Sequence, residues 1–138
     1  MDNKEHVMPI ATLRRVVGLR RIKYKKVIWH TSELVIKSFL TIKEYFDTIN
    51  NILMDCADKD GFVVYEMVDF ATKLNIIISY ALIELPDDID ELYYIAYESD
   101  LFKTICATAN KDQIDSIVLS VDMCVRNGVS PDDGEKLG

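Results

Sequence analysis

The apolar period of this chain changes once, at Thr41, and that change restricts the fold more than any other feature. Before it, from Arg21 to Leu40, the period is close to two. Ile22, Tyr24 and Ile28 interleave with Arg21, Lys23 and Lys25, and Leu34, Ile36 and Leu40 interleave with Val35, Lys37 and Phe39. Alternation is the pattern of a strand covered on one face. β-branched and aromatic residues are frequent here, and they suit a pleated, half-buried surface. The polar stretch His30-Thr31-Ser32-Glu33 can turn, although it lacks the Gly or Asn-Gly of a tight hairpin. Two strands are therefore predicted over about 21–29 and 34–40, paired as a hairpin.

After Thr41 the period is helical. Thr41-Ile42-Lys43-Glu44 is a capping box, in which the Thr hydroxyl accepts from the N3 amide while the Glu reaches back. Ile42, Tyr45, Phe46, Ile49, Leu53, Cys56 and Ala57 then share a stripe, which predicts a helix over 42–57. Asp58-Lys59-Asp60-Gly61 breaks it, with Gly61 available for positive φ. A second helix over 65–85 is apolar on most sides, which marks it as central, and Pro86 ends it. Asp88-Ile89-Asp90-Glu91 opens a third over 89–109, bent near Ser99-Asp100. Asn110 caps a fourth over 111–127, with Gly128 placed as its C′ residue.

Residues 1–20 carry Pro9 and Gly18 and no sustained apolar period, so they read as an extended basic arm, and residues 129–138 as a flexible acidic tail. The fold class is mainly α (α+β): a four-helix domain preceded by an extended basic N-terminal arm and a short β-hairpin. At 138 residues the chain is one domain's worth of sequence, with residues 21–128 as the domain. A core of that size needs no metal or disulfide to hold it. A lone hairpin is marginal in water, so this one must pack on the helices or pair with strands of another chain.

Charge separates the chain into two parts. The total is −7, from 16 Lys and Arg against 23 Asp and Glu. Residues 1–30 hold eight basic and two acidic side chains, a balance of +6, and residues 31–138 hold eight basic and 21 acidic, a balance of −13. An acidic body argues against a generic nucleic-acid binder. The basic run is Arg14, Arg15, Arg20, Arg21, Lys23, Lys25 and Lys26, with no acid between Glu5 and Glu33. It is interleaved with Leu13, Val16, Val17, Leu19, Ile22 and Tyr24, which a purely solvated segment does not need. An arm both cationic and apolar is suited to docking on an acidic, partly apolar surface. The seven basic residues and Trp29 are the candidate partner-binding residues. Trp29 reads first as a core anchor under the hairpin, with an interface anchor as the alternative. The expected partners are protein subunits, either self-copies or other components of one assembly, with nucleic acid ranked below them and a membrane excluded.

Motifs of chemistry are weak. Asp58-Lys59-Asp60-Gly61 fits the middle of a calcium loop, but its first and twelfth positions fall on Cys56 and Met67 rather than carboxylates. Asp87, Asp88, Asp90 and Glu91 read as partners of a helix dipole rather than a metal patch. His6 and His30 have no partner at metal spacing. Cys56, Cys106 and Cys124 lie on apolar stripes, an odd count with no CxxC, and read as buried residues in a reducing compartment. No GxSxG, GxGxxG or GxxxxGK[ST] occurs. The first apolar stretch, Val7 to Leu19, is broken by Pro9, Arg14 and Arg15, so no signal peptide is read, and Ile76 to Ile83 is too short to span a bilayer. No enzyme activity, cofactor or metal is expected. Tyr93, Tyr94 and Tyr97 are too close together for all three to face one core, so at least one is expected at the surface.

The basic beginning TLRRVVGLRRIKYKK, a strand pair leading into FLTIKEYFDTINNIL, and the acidic, Ile-rich ELPDDIDELYYIAYESDLFKTI form a layout. It resembles the small accessory proteins of tailed bacteriophages, virion or tail-assembly components. The resemblance carries over no functional residue. It implies a non-enzymatic structural or assembly protein, in the virion or in the host cytoplasm during assembly, whose arm reaches onto neighbouring subunits. An assembly chaperone or an inhibitor of a host protein, acting through the acidic helical surface, is the alternative, followed by a nucleic-acid contact through the arm.

Overall fold

A computed structural model describes residues 6–18 and 24–128. Along the chain the elements are helix α1 (Ile10–Val17), strands β1 (Tyr24–Trp29) and β2 (Ser32–Lys37), and helices α2 (Ile42–Asp55), α3 (Tyr65–Tyr80), α4 (Ile89–Tyr97), α5 (Leu101–Thr108) and α6 (Lys111–Arg126). The fold is mostly helical with one short antiparallel hairpin. Among the described residues, no helix is long and apolar enough to cross a membrane.

The hairpin pairs Val27 with Leu34 and Trp29 with Ser32, leaving His30 and Thr31 as a two-residue turn. Both have left-handed backbone, φ 47° and 67°. That geometry matches the twist of the strands but favours Asn or Gly, and a β-branched Thr is strained there. Alternation sends Val27 and Trp29 against the core, along with the buried Leu34 and Ile36 of β2. The turn takes two residues where the sequence suggested four. β2 begins at Ser32 and stops at Lys37 rather than Leu40, because the chain leaves the sheet there to reach α2.

The three predicted helix caps are all present. Thr41 and Glu44 form the full capping box. Asp88 accepts from the Glu91 amide, and Asn110 from the Gln113 amide. Lys37 at the end of β2 forms a salt bridge with Glu44, and that contact, with the Thr41 amide, holds the Glu44 carboxyl below the usual carboxylate range.

Six helices, rather than four, occupy the described residues, and three expectations change with them. Residues 10–17, expected as part of an extended arm, are helical. Pro9, with its fixed φ, stands just before the first turn, and Gly18 closes the last in left-handed geometry. The helix expected over 65–85 stops at Tyr80. Ala81 bridges antiparallel to Ile36, and the Leu82 amide donates to the Val35 carbonyl at 3.0 Å, so 81–82 extend the sheet along the outer edge of β2. The nearly continuous apolar stripe therefore belongs to two elements, each burying its own side. The helix expected over 89–109 is two helices. Ser99 separates them, its hydroxyl donating to the Ile95 carbonyl and accepting from the Leu101 amide. The rest of the arm, the start of the first predicted strand and the acidic tail lie outside the described residues.

Helix α3 sits between α2, α4 and α5, and α6 packs on α2 and α5. Ile36, Leu40, Ile52, Ile76, Ile77, Leu101, Ile105, Ile117 and Val121 form the centre of the core. One polar group is built into it. The side-chain carbonyl of Gln113 accepts from the Leu40 amide at 2.7 Å and from the Tyr80 hydroxyl at 2.6 Å, and its NH2 donates to the Leu40 carbonyl at 3.1 Å. Burial pushes the Tyr80 hydroxyl well above its usual range, so it remains a donor.

Two stability predictions follow from these geometries. Gln113→Leu strands both backbone groups of Leu40, and is expected to cost about 3 kcal/mol, whereas Tyr80→Phe leaves Gln113 still bonded and costs about 1 kcal/mol. Denaturant unfolding checks the ordering, and equal losses would contradict it. Thr31→Gly relieves left-handed strain, and is expected to stabilise the protein by about 1 kcal/mol. A lowered unfolding midpoint would contradict that.

Candidate interaction surface

Helix α1 is built from IATLRRVV. At helical spacing, Ile10, Leu13, Val16 and Val17 gather on one side, and Arg14 borders them. None of its residues is buried: Ile10 is 62% exposed, Leu13 45%, Val16 68% and Val17 48%. The preceding Val7 and Met8 are exposed as well.

The basic run is thus divided by the fold. Arg14 and Arg15 stand on α1. Lys25 and Trp29 stand on β1, and both turn inward onto α5. Lys25 Nζ donates to the Thr108 carbonyl at 3.1 Å, where the last carbonyls of α5 favour a cation. Trp29 Nε1 donates to Asp100 Oδ1 at 2.7 Å, and His30 Nε2 lies 3.0 Å from the same oxygen. The Trp29 and His30 rings meet edge to face at 4.8 Å. His30 first and Trp29 second hold the Asp100 carboxyl below its usual range. These contacts fasten the hairpin to the start and end of α5. Lys26 faces the other way and pairs with Glu33 at 3.6 Å across the strands. Arg20, Arg21 and Lys23 lie outside the described residues.

A second surface brings together what the sequence left scattered. On α4, Ile89, Tyr93 and Tyr97 form one row, and Asp90, Tyr94 and the C-cap residue Glu98 form the next. Tyr93, Tyr94 and Tyr97 are all exposed. Tyr93 packs on Phe70 of α3 at 5.4 Å and on Tyr97 at 4.7 Å. The Tyr97 hydroxyl donates to Asp69 at 2.6 Å, and burial and that carboxylate push it up to about 12. Lys73 is held here too, its ammonium 4.5 Å from the Phe102 ring centre and 5.6 Å from that of Tyr97. Between Lys73 and Lys103 the chain has no Lys or Arg, while residues 84–100 contain seven acids. The face is aromatic and strongly acidic. The triple-Tyr signal pointed at it, but Phe70 and Asp69 join it only through tertiary packing.

A third feature is an open groove of about 440 Å³ between α2 and α6, lined by Phe39, Ile42, Tyr45 and Phe46 on one side and Asp112 and Ser116 on the other. The Tyr45 hydroxyl bonds Ser116 at 2.5 Å across its floor.

The chemical motifs resolve into local roles. The Asp58 carboxylate accepts from the amides of Asp60 and Phe62, so it closes the turn after α2. Burial pushes the thiols of Cys56 and Cys106 up, away from the thiolate that nucleophilic chemistry needs. No protein-family model, curated protein or solved structure matches this chain.

The Asp100 contact predicts an acid dependence. Because its carboxyl is depressed by folding, the stability it contributes is present above the ordinary carboxylate range and is lost as pH falls through the depressed value. Asp100→Asn is therefore expected to flatten the acid side of a Tm-against-pH curve. An unchanged acid limb would contradict the role given to this carboxylate.

Proposed function

We propose that this is a non-enzymatic structural or assembly protein that docks on neighbouring protein subunits through α1. A particle built of repeated subunits, such as a phage virion, is the setting we propose for it. One observation carries the reading. Isolated helices shorter than about 12–15 residues are marginal in water. Helix α1 has eight residues, buries none of them and presents its apolar side to solvent beside Arg14. A segment patterned in this way gains its stability from a surface outside itself. Apolar contact would supply most of the affinity, at about 25 cal/mol per Å² buried, and the arginines would set orientation and rate.

The test is light scattering of the full chain and of the double variant Leu13→Glu, Val17→Glu. Both residues are exposed within the chain, so the variant is expected to keep its circular dichroism outside α1 and to fall to monomer mass, where the parent is larger. A mass unaffected by the two substitutions contradicts the reading.

A further inference from the structure

We infer that α1 docks on the α3–α4 face of a second copy of this chain, packing against the row of Ile89, Tyr93 and Tyr97 with Arg14 toward Asp90, Tyr94 and Glu98. This rests on the reading of α1 as the docking element and adds the identity of its receptor.

Three observations choose this face and this occupant. The first is charge. Helix α1 lies in a segment with no acid between Glu5 and Glu33, and the α4 part of the receiving face lies in one with no Lys or Arg between Lys73 and Lys103, Lys73 itself being held over the Phe102 and Tyr97 rings. The α2–α6 groove offers no such match. Asp112 is the one acid in its lining, and around it Lys43 is paired with Asp47 and Lys111 with Asp115, so it offers a cationic helix far less charge than the seven acids of residues 84–100. The second is shape. The eight residues of α1 and the nine of α4 give helices of about 12 and 14 Å, so one short apolar row can lie along another of the same length. The third is the chemistry of the aromatic cluster. It already holds one cation within its own chain, the Lys73 ammonium over Phe102 and Tyr97. Tyr94, 64% exposed, presents a further ring flanked by two carboxylates at helical spacing, which suits a guanidinium by both cation–π and ionic contact. Both halves of the contact are present on every copy. They are different patches, so the contact is heterologous and each copy can give one helix and receive another.

The test uses two full-length variants. One carries Leu13→Glu and Val17→Glu, which disables α1. The other carries Asp90→Asn, Tyr94→Ala and Glu98→Gln, which disables the face. Each alone is expected to be monomeric, with an apparent self-association constant weakened at least about tenfold. Mixed, they retain one intact α1 and one intact face between them. The expected product in sedimentation velocity is a one-to-one heterodimer and nothing larger. If the α1 variant loses assembly while the face variant keeps it, the receptor is wrong although α1 still docks. If neither variant changes the mass, the reading of α1 fails as well. If the face variant is monomeric but the mixture does not form the heterodimer, α1 is not held by a second copy, and the inference is overturned.

Discussion

The amide of Gln113 ties together the parts of this protein that are distant in sequence. It stands at the third position of α6 and bonds both backbone groups of Leu40, where the chain passes from sheet to helix. It also accepts the Tyr80 hydroxyl, where α3 gives way to the extended segment beside β2. Next to it, the Asn110 amide donates to the Ser38 carbonyl at 2.8 Å. The hairpin exit, the start of α2, the end of α3 and the start of α6 thus meet at one buried side chain. An apolar residue would fill the space but leave Leu40's peptide groups unpaired, and a buried unpaired group costs more than a bond contributes.

The hairpin depends on that junction at one end and on α5 at the other. Its turn is strained at His30 and Thr31, and a two-stranded element alone is marginal. What compensates is tertiary. Trp29 and His30 converge on Asp100 at the start of α5, and Lys25 reaches its last carbonyls. Among the described residues of the basic segment, Lys25 and Lys26 of β1 are engaged within the chain, while Arg14 and Arg15 stand on the exposed α1.

What was readable in the sequence is what local physics decides. Thr41, Asp88 and Asn110 cap the helices they were expected to cap, because a cap needs only a side chain and an amide three residues on. The hairpin followed from alternation. The failures have two kinds. Pro9 and Gly18 look like breaks in an extended arm, yet they are the two ends of one short helix, and an eight-residue apolar pattern is too brief to stand out by periodicity. Ile76 to Leu85 reads as one helix because both a buried helix and a buried strand are apolar. Only the exposed carbonyl of Val35 and the edge at Ile36 decide that 81–82 become extended. Of the candidate docking residues, Arg14 and Arg15 stand on the exposed helix, while Trp29 and Lys25 were claimed by Asp100 and Thr108, about seventy and eighty residues away. No local pattern encodes such a contact. The aromatic face was legible only as three tyrosines too many for one core.

These observations give a body whose interior is closed by Gln113 and whose outside carries two complementary patches, one cationic and apolar, the other aromatic and acidic. We propose that the two meet between copies. The most direct measurement is isotope-filtered NMR on an equimolar mixture of labelled and unlabelled chains. Intermolecular NOEs are expected from the methyls of Leu13 and Val17 to the rings of Tyr93 and Tyr94. Methyl contacts confined to one chain, or none to those rings, would contradict it.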